Sequence, residues 1–178
     1  MTRTLRRVVT TNNADGQSEV ALDGGPAAAI AAHGSGLHEI WQTASVPADN
    51  SRFEDALAGT DPRLCPPPGG VKVRWFEVPP ENDAIPAEEK EAAAAFSFEA
   101  VGASGARVDT RRHPLMHKTD SVDYIVLVKG ELDMLLDNGE IEGLKPGDVV
   151  VQRGTNHAWV NRGSEPALLV AVLVDAAS

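Results

Sequence analysis

Polar and apolar residues alternate with a period of two in several short runs of the first half of the chain. Residues 6–10 and 18–22 read as two strands, separated by Asn12-Asn13-Ala14-Asp15-Gly16, whose residue types favour turns. Residues 37–44 read as a third strand. Residues 71–78 read as a fourth, with Val71, Val73 and Trp75 on one face, Lys72, Arg74 and Phe76 on the other, and Pro79-Pro80 as its stop. The Ala- and Gly-rich stretch 27–36 has no usable period, and 46–70 is proline-rich and reads as irregular. One helix is expected over 86–98. Pro86 suits its first turn, Glu88, Glu89 and Glu91 set negative charge at its positive end, and the run Ala92–Ala95 is strongly helix-forming. Gly102 and Gly105 break the chain after it.

From residue 107 the pattern changes to short Val- and Leu-rich strands at 122–128, 131–136, 149–152, 158–160 and 167–174. Asp137-Asn138-Gly139 supplies the positive φ angles of a hairpin turn, and Lys145-Pro146-Gly147-Asp148 is a second turn, with Asp148 bonding the backbone. Strands this short and this regularly spaced point to an all-β antiparallel barrel or sandwich rather than to βαβ units. Residues 106–178 form the expected barrel core. Residues 1–105 form an N-terminal extension whose strands pair with the barrel sheet or cross to a partner chain.

Composition narrows the function classes. The chain has 178 residues and a formal net charge of −10. Such an acidic surface repels a phosphate backbone, and Arg3, Arg6 and Arg7 are too few to reverse this, so no nucleic-acid partner is expected. The single cysteine, Cys65, allows no internal disulfide. The first residues lack the apolar run of a signal peptide, and the longest apolar run, 167–174, suits one buried strand and not a bilayer span. The expectation is a cytoplasmic protein with no membrane partner, acting as a homodimer on a small molecule.

The candidate chemistry lies in the second half. A straight strand from His117 to Asp123 would hold them roughly 20 Å apart at about 3.3 Å per residue. Thr119-Asp120-Ser121 has turn chemistry, however, and a turn there puts the two on adjacent antiparallel strands. Downstream, residues 152–156 turn the chain, and His157 opens a strand in which His157, Trp159 and Asn161 share a face. Two imidazoles and a carboxylate on neighbouring strands are a ligand set for iron, manganese, zinc or nickel. His113 precedes Pro114 and lies roughly 13 Å before His117 along a strand, so it reads as a rim residue more than as a ligand. His33 and His38 resemble no ligand pair.

These residues resemble the cupin superfamily. The first motif reads His117-x-Thr119, three residues, Asp123, six residues, Gly130; the second reads Gly147-Asp148, then Gly154-x-x-His157-x-x-x-Asn161. The resemblance covers about 65 residues and implies a cupin-type antiparallel jelly-roll β-barrel with a site in its mouth. Thr119 stands where the family has a second histidine, Asp123 where it has glutamate, and Gln152 where it has proline. The implied metal ligands are His117, His157 and Asp123, around a divalent ion. Thr119, Trp159, Arg153 and His113 are candidates for substrate contact, although Trp159 equally suits barrel packing and Arg153 better suits a solvated turn. Asn161 reads as a residue that fixes its loop, and Tyr124 as core packing. The resemblance implies a metal-dependent enzyme acting on a small oxygenated molecule by lyase, dehydratase, decarboxylase or dioxygenase chemistry. The alternatives are a metal-free isomerase or ligand-binding barrel, with His157 as general base and Asp123 as its orienter, and a non-catalytic barrel with a decayed site.

Overall fold

The computed structural model describes residues 5–32 and 35–177; His33 lies outside them. Two strands, β1 (Arg7–Asn12) and β2 (Ser18–Gly24), form a separate hairpin. The Asn13 side chain accepts hydrogen bonds from the Asp15 and Gln17 amides in its turn. Arg7 fastens the hairpin to the rest, donating to the Ile40 carbonyl at 3.0 Å and to Asp55 at 2.7 Å.

The other strands build two antiparallel sheets. The larger has the order β3 (Ala28–Ala32), β4 (Ser35–Thr43), β5 (Val71–Val78), β11 (Ala167–Asp175), β6 (Ser121–Lys129), β9 (Val149–Arg153). The smaller has the order β10 (His157–Val160), β7 (Leu132–Leu136), β8 (Glu140–Leu144). Their facing sides close on one apolar cluster, with Ile125, Leu127, Leu169 and Ala171 from the larger sheet against Leu132, Met134 and Trp159 from the smaller. Of the strands before residue 105, β3, β4 and β5 belong to the larger sheet, with β4 against β5 and β5 against β11, whereas β1 and β2 pair only with each other.

Two strands were illegible in the pattern. β3 is Ala-Ala-Ile-Ala-Ala, of low strand propensity, and joins only at the sheet edge through β4. β8, Glu-Ile-Glu-Gly-Leu, is polar and carries a glycine. The helix α1 (Ala87–Ala100) follows Pro86 and runs two residues beyond the expected end. It stops at Gly102, φ 67°, where the Gly102 amide bonds the Glu99 carbonyl and the Ala103 amide bonds the Phe98 carbonyl. No helix among the described residues is long and apolar enough to cross a membrane.

Two local expectations are corrected. Tyr124 does not pack in the core. It is 45% exposed on the outer face of β6, beside Val151 of β9. The segment after His117 does not fold back into a tight hairpin. His117 pairs with His157 at the edge of the smaller sheet, whereas Asp123 lies in β6 of the larger one. The chain between them crosses from one sheet to the other.

Gly130 joins β6 to β7 with φ 89°, and a Cβ there would come within 2.9 Å of Ala167. Backbone strain and collision act together at this turn. Gly130→Ala is expected to destabilise the protein by about 1–3 kcal/mol, read as a shifted urea midpoint with an unchanged m-value.

Candidate functional site

The strand register sorts the inner face of the larger sheet into layers. Phe76, Leu169 and Leu127 form an apolar layer, because Leu169 is opposite both Phe76 and Leu127. One step along, Glu39, Arg74, Ala171 and Ile125 are aligned; the next step aligns Lys72, Leu173, Asp123 and Gln152. One end of the barrel interior is therefore polar. Glu39 is 0% exposed, and Lys72 and Arg74 are 2% exposed.

The smaller sheet brings two histidines to this interior. His117 and His157 form a bridge with reciprocal backbone hydrogen bonds of 2.9 and 3.0 Å, so their side chains leave on the same side. The ring centroids are 4.3 Å apart. Phe98 of α1 covers His117 at 4.9 Å, and the edge of Trp159 meets His157 at 6.0 Å. Each Nδ1 is within hydrogen-bond distance of a backbone carbonyl, Leu115 for His117 at 2.8 Å and Thr155 for His157 at 3.0 Å. A carbonyl only accepts, so both Nδ1 atoms carry the proton and both Nε2 atoms present lone pairs.

Burial keeps the pair neutral. It lowers the proton affinity of His117, with the positive charge of Arg74 acting in the same direction. For His157, burial and the neighbouring His117 bring the pKa down to about 3. Between 6.5, the ordinary value, and about 3 the unfolded chain binds a proton at this residue that the folded protein does not. Stability is accordingly lost as pH falls through this window. Urea midpoints measured from neutral to acid pH are expected to fall less steeply in His157→Gln than in the parent protein.

Asp123 faces the same interior from β6, 5% exposed. Its carboxylate accepts from the Ser121 hydroxyl at 2.7 Å and from the Gln152 amide at 3.4 Å. Burial raises its pKa, against the Ser121 bond and Arg74, which lower it. Ser121 also reaches the Thr119 hydroxyl at 2.8 Å, so Thr119 is buried inside the barrel in this network. Among the described residues, no three His, Cys, Asp or Glu side chains gather closely enough to hold a metal ion. The donor chemistry of the two imidazoles suits a metal; the arrangement does not fit a three-ligand centre, because Asp123 is bonded to Ser121 and Gln152. Nor does Asp123 orient His157, a role taken by the Thr155 carbonyl.

The remaining sequence candidates separate. Trp159 is 7% exposed and packs in the apolar cluster, tilted against Phe76 at 6.2 Å. Arg153 lies exposed on β9, alternating with the inward Gln152. His113 turns to Glu81 at 3.2 Å and ties the rim to the segment before α1. That bond, with help from Lys90, holds the Glu81 carboxyl down at about 2. Asn161 fixes its loop, donating to the Val78 and Glu165 carbonyls and accepting from the Gly163 amide. His38 stands beside Glu77 at 3.2 Å, away from the histidine pair.

Sequence reasoning missed Glu39, Lys72 and Arg74. The alternation in 71–78 did separate Lys72 and Arg74 from Val71 and Val73, but it did not say which face is inside. The buried Glu39, 3.0 Å from the Arg74 guanidinium and 3.8 Å from the Lys72 ammonium, is what brings them inside. Both cations also donate to the Arg63 carbonyl of the loop over this end.

Comparison with known proteins adds to this geometry. Phomopsin biosynthesis cluster protein C' of Diaporthe leptostromiformis is 32% identical over 167 residues, covering 90% of this chain and 72% of that protein. Oryzines biosynthesis cluster protein J of Aspergillus oryzae is 50% identical over 114 residues, 64% of this chain and 46% of that one. A cupin-domain-containing oxidoreductase of Aspergillus ruber is 41% identical over 63 residues, 34% of this chain and 31% of its own. Among solved structures, a cupin-2 domain protein from Rhodospirillum rubrum covers 82% of this chain and 68% of its own at 11% identity, with a TM-score of 0.42. No family model matches the sequence.

Proposed function

From the premise that this chain belongs to the cupin superfamily, with relatives among fungal biosynthesis-cluster proteins and cupin-domain oxidoreductases, we propose that it is an enzyme moving a proton on a small oxygenated organic molecule. The observation that carries this reading is the pair of imidazoles 4.3 Å apart, each held at Nδ1 by a backbone carbonyl. A C–H bond next to a substrate carbonyl breaks, the proton goes to the histidine pair, and the electron pair moves into the carbonyl as an enolate. His117 is taken as the acceptor, since it is the less buried ring and His157 is held down at about 3. Arg74 offsets the charge of the enolate. Return of the proton to the opposite face of the same carbon completes an epimerisation.

The test is carbon–hydrogen exchange. Small ketones, aldehydes and oxo acids in deuterated water are expected to lose their α-proton signals faster with the protein than with buffer, as followed by NMR. Exchange at the buffer rate across the panel would refute the reading.

A second reading is a divalent ion held by His117 and His157 alone. The two adjacent Nε2 lone pairs, oriented by carbonyl-bound Nδ1 atoms, favour it. Near-stoichiometric metal in protein purified without chelator, absent from His157→Ala, would support it. Full activity of protein stripped of metal would end it.

A further inference from the structure

Five buried side-chain atoms among the described residues have no hydrogen-bond partner, and four of them line the polar end of the barrel. They are both carboxylate oxygens of Glu39, of which Oε1 has its ion pair with Arg74 at 3.0 Å, Nε of Arg74 and Oε1 of Gln152. Glu39, Arg74 and Gln152 are each at least 98% buried. They lie on the inner face of the larger sheet within two successive layers of its register, on β4, β5 and β9. Polar groups withdrawn from water need partners; Glu39 Oε2, Arg74 Nε and Gln152 Oε1 have none.

The missing partners have a definite chemistry. Arg74 Nε is a donor and needs an acceptor oxygen. Glu39 and Gln152 present acceptors and need donors. Lys72, bonded to the Arg63 carbonyl, adds a second cation beside Arg74. One small molecule supplies both kinds of partner if it carries a carboxylate and a hydroxyl. We propose that this end of the barrel is a binding site for a small hydroxycarboxylic acid. Its carboxylate is taken by Arg74 with Lys72, and its hydroxyl donates to Glu39 or Gln152. This deepens the proposed function, on which it rests, by naming the class of substrate that meets the histidine pair. Arginine suits the role because its guanidinium offers a planar fork of donors that stays charged when buried.

Binding of lactate and malate to the whole protein, followed by NMR of the imidazole nitrogens, tests the site. Lactamide lacks the carboxylate and propionate lacks the hydroxyl. Either hydroxy acid is expected to saturate the signal shifts at millimolar concentration, with both analogues at least about tenfold weaker, since each leaves a buried polar group unpaired. Arg74→Lys keeps the charge and loses Nε; it is expected to weaken binding about tenfold or more. Should that variant fail to fold, Glu39→Leu/Arg74→Met removes the ion pair as a unit, and loss of hydroxy-acid binding is expected there too. Three results would overturn the proposal. The first is no shift with either hydroxy acid, which leaves buried water as the partner of these atoms. The second is equal binding of lactamide or propionate, and the third is undiminished binding by a folded Arg74 variant. Failure here is distinguishable from failure of the function: α-proton exchange on neutral ketones, lost in His117→Gln, would persist with no hydroxy-acid site.

Discussion

His117→Gln is expected to lower turnover about 10²–10⁴-fold, the usual contribution of a positioned general base, with KM changed only a few-fold. Glutamine retains a hydrogen-bonding group of similar reach and cannot take the proton. The small change in KM follows from the division of labour in the site, where the cations of β5 face the interior separately from the histidines of the smaller sheet. A second readout keeps a structural role apart from a chemical one. His117 is one cause of the depressed proton affinity of His157, so His157 should titrate at higher pH in His117→Gln, visible in its ring nitrogen shifts. Turnover within a few-fold of the parent protein would remove His117 from the chemistry. Loss of turnover with an unmoved His157 titration would mean that the rings do not interact as their 4.3 Å separation implies.

The histidine pair was legible in the sequence, and its geometry was not. His117 and His157 stand out because each sits in a motif, before a turn or after one. That they share a bridge depends on a pairing between residues forty positions apart, which no local pattern encodes. The reading of 119–121 as a turn was chemically reasonable, since Thr, Asp and Ser favour turns. In the fold the same residues carry the chain between two sheets, with Ser121 already the first residue of β6 and hydrogen-bonded to both Thr119 and Asp123. Strands with strong alternation were read well: 71–78 coincides with β5, and 167–174 falls one residue short of β11. What the alternation left open was which face is inside. Lys72 and Arg74 follow the ordinary rule for solvated residues until Glu39, on a strand thirty residues away, supplies their counter-charge. A buried ion pair across two strands is a property of the register, and the register is fixed by the whole sheet.

Glu39 is for that reason the position at which a single change should cost the fold most. It is fully buried, and its carboxylate is the acidic partner of both Arg74 and Lys72. Glu39→Leu removes the counter-charge and leaves the guanidinium in the interior, where arginine cannot shed its proton. Breaking a buried pair from one side costs about 3–5 kcal/mol, because the uncompensated charge remains. The expected result is a clear fall in the urea midpoint. Lys72 moderates the loss, since burial already lowers its proton affinity and it can become neutral. Arg74→Met on the Glu39→Leu background removes the stranded charge and should recover most of the lost stability, as buried pairs replaced by apolar residues of similar size often do. A double variant no more stable than Glu39→Leu alone would show that the loss came from packing around Glu39 and not from its charge. The two variants also separate stability from recognition: the double variant should fold and yet take up no hydroxy acid, because it has lost the guanidinium that takes the carboxylate.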